Sequence, residues 1–365
     1  ISIGLDTLIS RIRYGITGTY YYQGVYINSI GPVANSNNDL KWEKTAMLNV
    51  GLDVAFFKSR LEISAEYYNK LTSDLIWDYE VSSTQYLYST LTANVGKMRN
   101  RGIEVNINAT PVHKSNFDWN TSLLLSHNKN VIKTLSDDRF KLDYALTATD
   151  VIGAGQSGGS AQIIKEGYAL GTFYTLRFAG FDDDGQSLFY NADGEKTNSP
   201  IAPDDYFYAG DAQPKLHFSW NNNITYKNFT LDFMFRGVSG YDVLNATLAG
   251  LNYTSRASDY NMPKYVLESN QPFNDTRSHF VSDRYIEKAN YLRLQYLTLN
   301  YRFNLPETSE IGDLNLYFSV NNLFTITGYK GIDPEINMGG NQPGIDYNNL
   351  YPKTKSFQLG VKINL

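Results

Sequence analysis

Leu314-Asn315-Leu316-Tyr317-Phe318-Ser319-Val320-Asn321 and Ser356-Phe357-Gln358-Leu359-Gly360-Val361-Lys362-Ile363-Asn364-Leu365 decide the fold. In the first run the even positions are apolar and the odd ones mostly polar; in the second the odd ones are apolar. Period two means a β-strand with one greasy face and one polar face. The second run keeps the alternation to Leu365, where a soluble domain usually frays into a polar tail, so a paired edge is expected there. Two surroundings suit such strands: a wall between lipid and water, or a sandwich with an apolar interior. Strand length, loop length and aromatic placement separate the two.

Working outward, the same alternation recurs. It places Ile12, Tyr14 and Ile16 opposite Arg11, Arg13 and Thr17 in a first strand, followed by a tyrosine-rich loop. From Thr45 to Phe56, Ala46, Leu48, Val50, Leu52, Val54 and Phe56 share a face. Further strands run through Leu61–Tyr67, Ile103–Ile107, Phe117–Leu125, Leu216–Tyr226, Phe229–Phe235 and Leu297–Phe303, giving roughly ten, each long enough for the ~9–11 residues of a tilted membrane strand. Connections alternate in length. Short ones fall at 57–59, 110–116, 227–228 and 304–313, and long ones near 20–43, 82–94, 131–214, 243–283 and 328–353. Outer-membrane barrels have this asymmetry, with short periplasmic turns and long extracellular loops; a sandwich has no reason for it. Phe56, Phe117, Trp119, Tyr226, Phe229, Tyr301 and Phe303 lie on the apolar faces close to the short turns, as an interfacial aromatic girdle would.

Composition narrows the class. The 365 residues carry a net charge of −5, 29 Tyr, 19 Phe, 28 Gly and no Cys. No apolar run approaches the ~18 residues of a membrane helix, so any crossing uses strands. The acidity argues against nucleic acid as a partner, and the absence of Cys excludes a disulfide scaffold. Because the chain opens on Ile1 without a leader, it reads as a fragment.

Specific stretches carry a family likeness: Leu40-Lys41-Trp42-Glu43-Lys44-Thr45 with Asn49-Val50-Gly51-Leu52-Asp53, Tyr67-Tyr68-Asn69-Lys70, Asn94-Val95-Gly96, and Asn100-Arg101-Gly102-Ile103-Glu104. Glu166-Gly167-Tyr168, Gly171-Thr172-Phe173-Tyr174, Asp283-Arg284-Tyr285-Ile286-Glu287, Tyr291-Leu292-Arg293-Leu294 and Asn321-Asn322-Leu323-Phe324-Thr325-Ile326-Thr327 continue it, through Tyr329, Gly331 and Asp333-Pro334-Glu335. In order, they resemble the C-terminal half of SusC/RagA-type TonB-dependent outer-membrane transporters. The resemblance implies an all-β, transmembrane, antiparallel up-and-down barrel of 22 strands, of which residues 1–365 would supply about ten. It implies an N-terminal plug and signal peptide outside this chain, and a SusD-type surface lipoprotein as lid. Energy would come through TonB, outer-membrane lipid would surround the wall, and transporter–lipoprotein pairs could form dimers. Such a protein imports oligosaccharides or oligopeptides and uses no cofactor.

Two sets of residues are candidates for contact. Arg11, Arg13, Asp53, Glu62, Glu66, Glu104, Asp232 and Arg236 fall on the polar faces, where they would touch the plug or line the substrate path, or simply be solvated wall. Tyr21, Tyr22, Tyr26, Tyr86, Tyr88, Tyr206, Phe207 and Tyr208 fall in expected extracellular loops. Aromatic faces there suit sugar rings and peptide side chains, or pack loop on loop. Other motifs read as ordinary structure. Gly153-Ala154-Gly155-Gln156-Ser157-Gly158 matches a dinucleotide fingerprint but lacks the strand and helix that would give it meaning. Asp182-Asp183-Asp184-Gly185 lacks the alternating spacing of a calcium loop and reads as a turn. His113, His127, His217 and His279 form no ligand pair, which speaks against catalysis. The alternatives are a free-standing ten-stranded outer-membrane protease, using Asp137-Asp138 or Asp204-Asp205 to activate water, and a passive porin. One topological outcome is expected: in intact cells carrying the complete protein, Ser59→Cys and Asn228→Cys should resist an impermeant maleimide and Asn198→Cys should react. The reverse pattern would invert the topology.

Overall fold

The computed structural model describes residues 10–147, 159–254, 257–258, 261–268, 272, 274–306, 311–336, 340, 342–347 and 351–364. The run 153–158 and Leu365 lie outside them. In chain order the strands are β1 (Tyr14–Tyr22), β2 (Val25–Pro32), β3 (Lys44–Phe56), β4 (Leu61–Glu80), β5 (Thr90–Lys114), β6 (Phe117–Thr134), β7 (Tyr144–Thr147), β8 (Gln162–Lys165), β9 (Thr172–Phe181) and β10 (Ser187–Tyr190). There follow β11 (Lys196–Thr197), β12 (Tyr206–Asp211), β13 (Leu216–Tyr226), β14 (Phe229–Ser239), β15 (Asp242–Asn245), the short helices α1 (Ala246–Leu251) and α2 (Lys264–Glu268), β16 (Ile286–Lys288), β17 (Tyr291–Phe303), β18 (Asp313–Thr327), β19 (Ile345–Asp346) and β20 (Ser356–Asn364).

Nine of these strands form one antiparallel wall in the order β20-β18-β17-β14-β13-β6-β5-β4-β3. Its register aligns the alternations: Val50 pairs Tyr67, which pairs Ile103, while on the other face Gly51 pairs Glu66, which pairs Glu104. The apolar face is bare. Leu48, Val50, Leu52, Phe229, Leu299, Phe318, Phe357, Leu359 and Val361 are all exposed large hydrophobics, far beyond the scattered residues a soluble monomer leaves in water. A helix route across a membrane is absent among the described residues; the wall supplies a strand route.

The hairpin turns fall where the alternation breaks. Phe57, Lys58 and Ser59 close β3–β4 with positive φ, and Lys227 does so at β13–β14. The expected turn at 110–116 shrinks to Ser115-Asn116, because Thr110–Lys114 stay in β5. Pro111, which cannot donate to a ladder, sits where the β5–β6 register slips between Ala109 and Val112. The first expected strand differs more. Ile12–Ile16 does not join the wall; Tyr14–Tyr22 pairs with Val25–Pro32 in a separate hairpin.

The β6–β13 seam joins segments about 100 residues apart in sequence. Its polar pair Thr121 and Asn222 lies on the apolar face, and two indoles meet its oxygens. The Trp119 indole N–H donates to Asn222 Oδ1 (3.0 Å), and that of Trp220 donates to Thr121 Oγ1 (2.9 Å). The two acceptor oxygens are thereby paired, while the buried Asn222 Nδ2 has no partner among the described residues.

The long connections are folded, not irregular as their composition suggests. Residues 131–214 contain a six-stranded sheet of β7–β12, and β15, β16 and β19 form a second, three-stranded one. A shared core of Ala161, Phe173, Ala212, Leu244, Ala246, Ala249, Val281, Tyr285 and Ile345 joins segments from three connections. Buried hydrogen bonds tie them further: Gln162 Nε2 donates to the Pro343 carbonyl (2.6 Å) and Thr175 Oγ1 to that of Val281 (2.6 Å). The last connection is also clasped to the wall. Between β14 and β17 the register slips after Met234, leaving Gln295 unpaired and turning Arg293 onto the polar face opposite Arg236. There the buried Arg293 guanidinium donates to Asp333 Oδ1 (2.7 Å), Glu335 Oε2 (2.9 Å) and Thr325 Oγ1 (2.9 Å). Arg236 and Lys353 also donate to Glu335, and the Tyr241 hydroxyl donates to the Pro334 carbonyl (2.9 Å).

Two outcomes follow from this architecture. Val50→Arg should cost about 2–4 kcal/mol as a lipid-facing charge, and Asn49→Arg, on the polar face, much less; denaturant titration of the complete protein in bilayers compares them, and equal costs would assign the faces wrongly. Arg293→Met should free the loop at about 3–5 kcal/mol by leaving the buried Asp333 carboxylate without its ion pair, with Glu335 held only by Arg236 and Lys353. Limited proteolysis should then cut within 328–353 while the heat-resistant barrel band persists; unchanged cleavage would mean that the ion cluster does not hold the loop.

Candidate functional site: the polar face and its mouth

Cross-strand pairing arranges the polar face in rows. One runs Gly51, Glu66, Glu104, Ser126, His217; the next runs Asp53, Ser64, Asn106, Leu124, Ser219, Arg236. A third runs Ala55, Glu62, Asn108, Ser122, Asn221, Met234, Tyr296, and a fourth brings Asn120, Asn223, Asp232, Thr298, Ser319 and Gln358 together. Asp53, Glu62, Glu66, Glu104, Asp232 and Arg236 therefore share one surface. Glu66 and Glu104 stand directly opposite each other, an unfavourable pairing of like charges, which the hydrogen bond from Asn49 to Glu66 offsets. Asp232 accepts from Asn223 Nδ2, and Arg236 belongs to the clasp. Arg11 and Arg13 stand elsewhere. They precede β1 at the root of the hairpin, where the Arg13 carbonyl accepts from the Val33 N–H (2.8 Å). Between the acids the surface is rich in amides and hydroxyls, which can donate and accept to a neutral polar solute.

The expected loop aromatics divide. Tyr21, Tyr22 and Tyr26 are exposed on the hairpin, with Tyr21 and Tyr26 rings 5.2 Å apart. Tyr86 packs on the core of Tyr79, Leu91, Ala93 and Phe140, and Tyr88 donates to the Pro32 carbonyl, so both are structural. Tyr206, Phe207 and Tyr208 lie on β12 against β9. Tyr208 stacks on Tyr168 at 4.3 Å and lies 5.0 Å from Tyr174, while Arg177 covers the rings of Phe207 and Tyr190. The contributions of Tyr168, Tyr174 and Arg177 escape a sequence reading, since nothing local in 168–177 announces its partner thirty residues on.

Charge in the mouth is set by burial and pairing. Burial pushes the Asp211 and Asp283 carboxyls up, offset only partly by backbone N–H donors and nearby cations. Their ionisation thus costs stability as pH rises from the ordinary carboxylate range through the raised values. For Glu335, burial also works upward, but the hydrogen bonds and charges of Arg236 and Lys353 prevail and hold its carboxyl below the usual range. Its stabilisation is present above the ordinary value and lost as pH falls through the lowered one. The acid pairs suggested for a protease cap turns instead: Asp137 accepts from the N–H groups of Arg139 and Phe140, and Asp205 from those of Ala192 and Ile201. Asp182 does the same for Gln186 N–H (2.7 Å), as a turn reading expects.

Comparison with known proteins fits this geometry. Residues 13–163 match the model of the TonB dependent receptor-like β-barrel. The chain is 31% identical to TonB-dependent receptor P3 of Formosa agariphila, over 96% of this chain and 36% of that protein. It is also 31% identical to TonB-dependent receptor SusC of Bacteroides thetaiotaomicron, over 94% of this chain and 34% of SusC. The chain thus spans about a third of the length of these curated relatives. A solved structure of the RagAB peptide importer in the open-open state superposes with a TM-score of 0.75 at 21% identity, covering 99% of this chain and 38% of that one. The matched proteins are receptors and importers of the bacterial outer membrane, not enzymes. With its alternating wall, bare apolar face and folded mouth, the chain belongs to the TonB-dependent receptor β-barrels, as a portion of a barrel of the SusC/RagA type.

Proposed function

We propose that the complete protein actively imports an oligosaccharide or oligopeptide across the outer membrane, energised through TonB. A plug fills the barrel, and a SusD-like lipoprotein closes over the mouth. The observation that carries this reading is the mouth itself. Three long connections share one core, and the last is clasped to the polar face through Arg293 and Glu335. A passive pore needs an open lumen, whereas a receptor that captures a large solute needs a shaped platform before translocation. The amide-rich rows below the platform suit a neutral polar chain, whether sugar or peptide. The RagAB structures are of a peptide importer, and their likeness supports the architecture without choosing between the two substrates. In cells expressing the complete protein, uptake of labelled oligomers should stop when a protonophore collapses the inner-membrane gradient, and a surface lipoprotein should co-purify with the barrel. Uptake that persists after collapse would return the protein to the passive-porin reading.

A further inference from the structure

On the outward face of β4, β5 and β6, above the lipid-facing rows, three cations stand together. Successive rows across the wall read Val50, Tyr67, Ile103, His127; then Leu48, Asn69, Arg101, Lys129; then Ala46, Leu71, Arg99, Val131. No carboxylate occupies any of these rows. Arg101 and Lys129 are exposed and directly opposite each other, an arrangement that costs stability when nothing neutralises it. Among the described residues, none of Arg99, Arg101 and Lys129 has an ion-pair partner, and the buried Nε of Arg99 has no hydrogen-bond acceptor. Asp74, farther out on β4, is taken by Lys41 and Lys44 (3.3 and 3.7 Å). A like-charged pair beside an unsatisfied guanidinium N–H is a surface complementary to an anion.

Its height identifies the anion. From Phe117, at the rim near the short turns, to Lys129, β6 climbs about 40 Å along its length, or about 30 Å in height at a tilt of about 40°. That lies just past an apolar band about 25 Å tall, at the level of outer-leaflet headgroups. Leu48, Leu71, Ile103 and Val131 flank the cations with apolar surface suited to acyl chains. We propose that Arg99, Arg101 and Lys129 bind the phosphate of an outer-leaflet lipid headgroup, with its chains lying on the apolar rows below. Guanidinium groups meet phosphate oxygens in paired hydrogen bonds, and Lys129 adds a point charge. The site rests on the outer-membrane location alone and is independent of what the protein imports.

Native mass spectrometry of the complete receptor, in micelles doped with dioleoyl phosphatidic acid or dioleoyl phosphatidylcholine, tests this. Wild type should retain phosphatidic acid about tenfold more tightly. The Arg101→Gln/Lys129→Gln variant should lose the preference, whereas Lys114→Gln, at the opposite rim, should keep it. Excess inorganic phosphate should not displace the lipid. Equal retention of the two lipids by wild type overturns the proposal whether or not the variant folds, which heat-dependent gel migration reports. So does an unchanged preference in the folded double variant, or a loss in Lys114→Gln. Displacement by inorganic phosphate would make this a site for a free anion and overturn the lipid assignment.

Discussion

In hydrocarbon every backbone N–H and C=O must find a partner in the protein, and the wall is shaped by that requirement. Among the described residues, seven of its nine strands have ladder partners on both sides, whereas β3 and β20 are paired on one side only. The requirement also governs side chains. Thr121 and Asn222, the polar pair on the apolar face at the β6–β13 seam, each accept a hydrogen bond from an indole, so aromatic side chains of that face also serve as donors.

Much of this was legible in residues. Alternation through Ala46–Phe56, Leu314–Asn321 and Ser356–Ile363 assigned both the strands and their faces, because period two survives any registration of neighbours. Turn positions were legible where the turn is short, as at Lys227-Asn228. The first strand was misplaced for a physical reason: Ile12–Ile16 alternates as well as any wall strand, and alternation does not say which edge a strand pairs with. Arg11 and Arg13 stand with it at the root of the hairpin, off the nine-stranded wall. The bulge that turns Arg293 inward lies between Leu292 and Leu294, in one phase, and Leu297 and Leu299, in the other.

The clasp and the mouth were not legible. Arg236 and Glu335 lie 99 residues apart, and no local pattern pairs them. The strands of the mouth are mostly four residues or fewer, such as β7, β8, β10 and β11, too short for alternation to rise above chance. Only their turns spoke, through Asp182–Gly185, where a side-chain carboxylate caps the chain reversal.

The unequal connections have a consequence for assembly. Closing a loop costs configurational entropy that rises by about 0.6 kcal/mol per doubling of its length, so joining β6 to β13 across residues 135–215 costs about 3 kcal/mol more than closing β13–β14 across Lys227-Asn228. The mouth lowers that difference. The N–H of Ile132 donates to the Tyr168 carbonyl and that of Leu170 to Asn130 Oδ1, while Gln213 Nε2 donates to the Leu170 carbonyl. The inserted sheet thus grips the end of β6 and the entrance to β13 at once. A segment that looks like an insertion for capture at the cell surface also acts as a splint, shortening the effective tether across the longest gap in the wall.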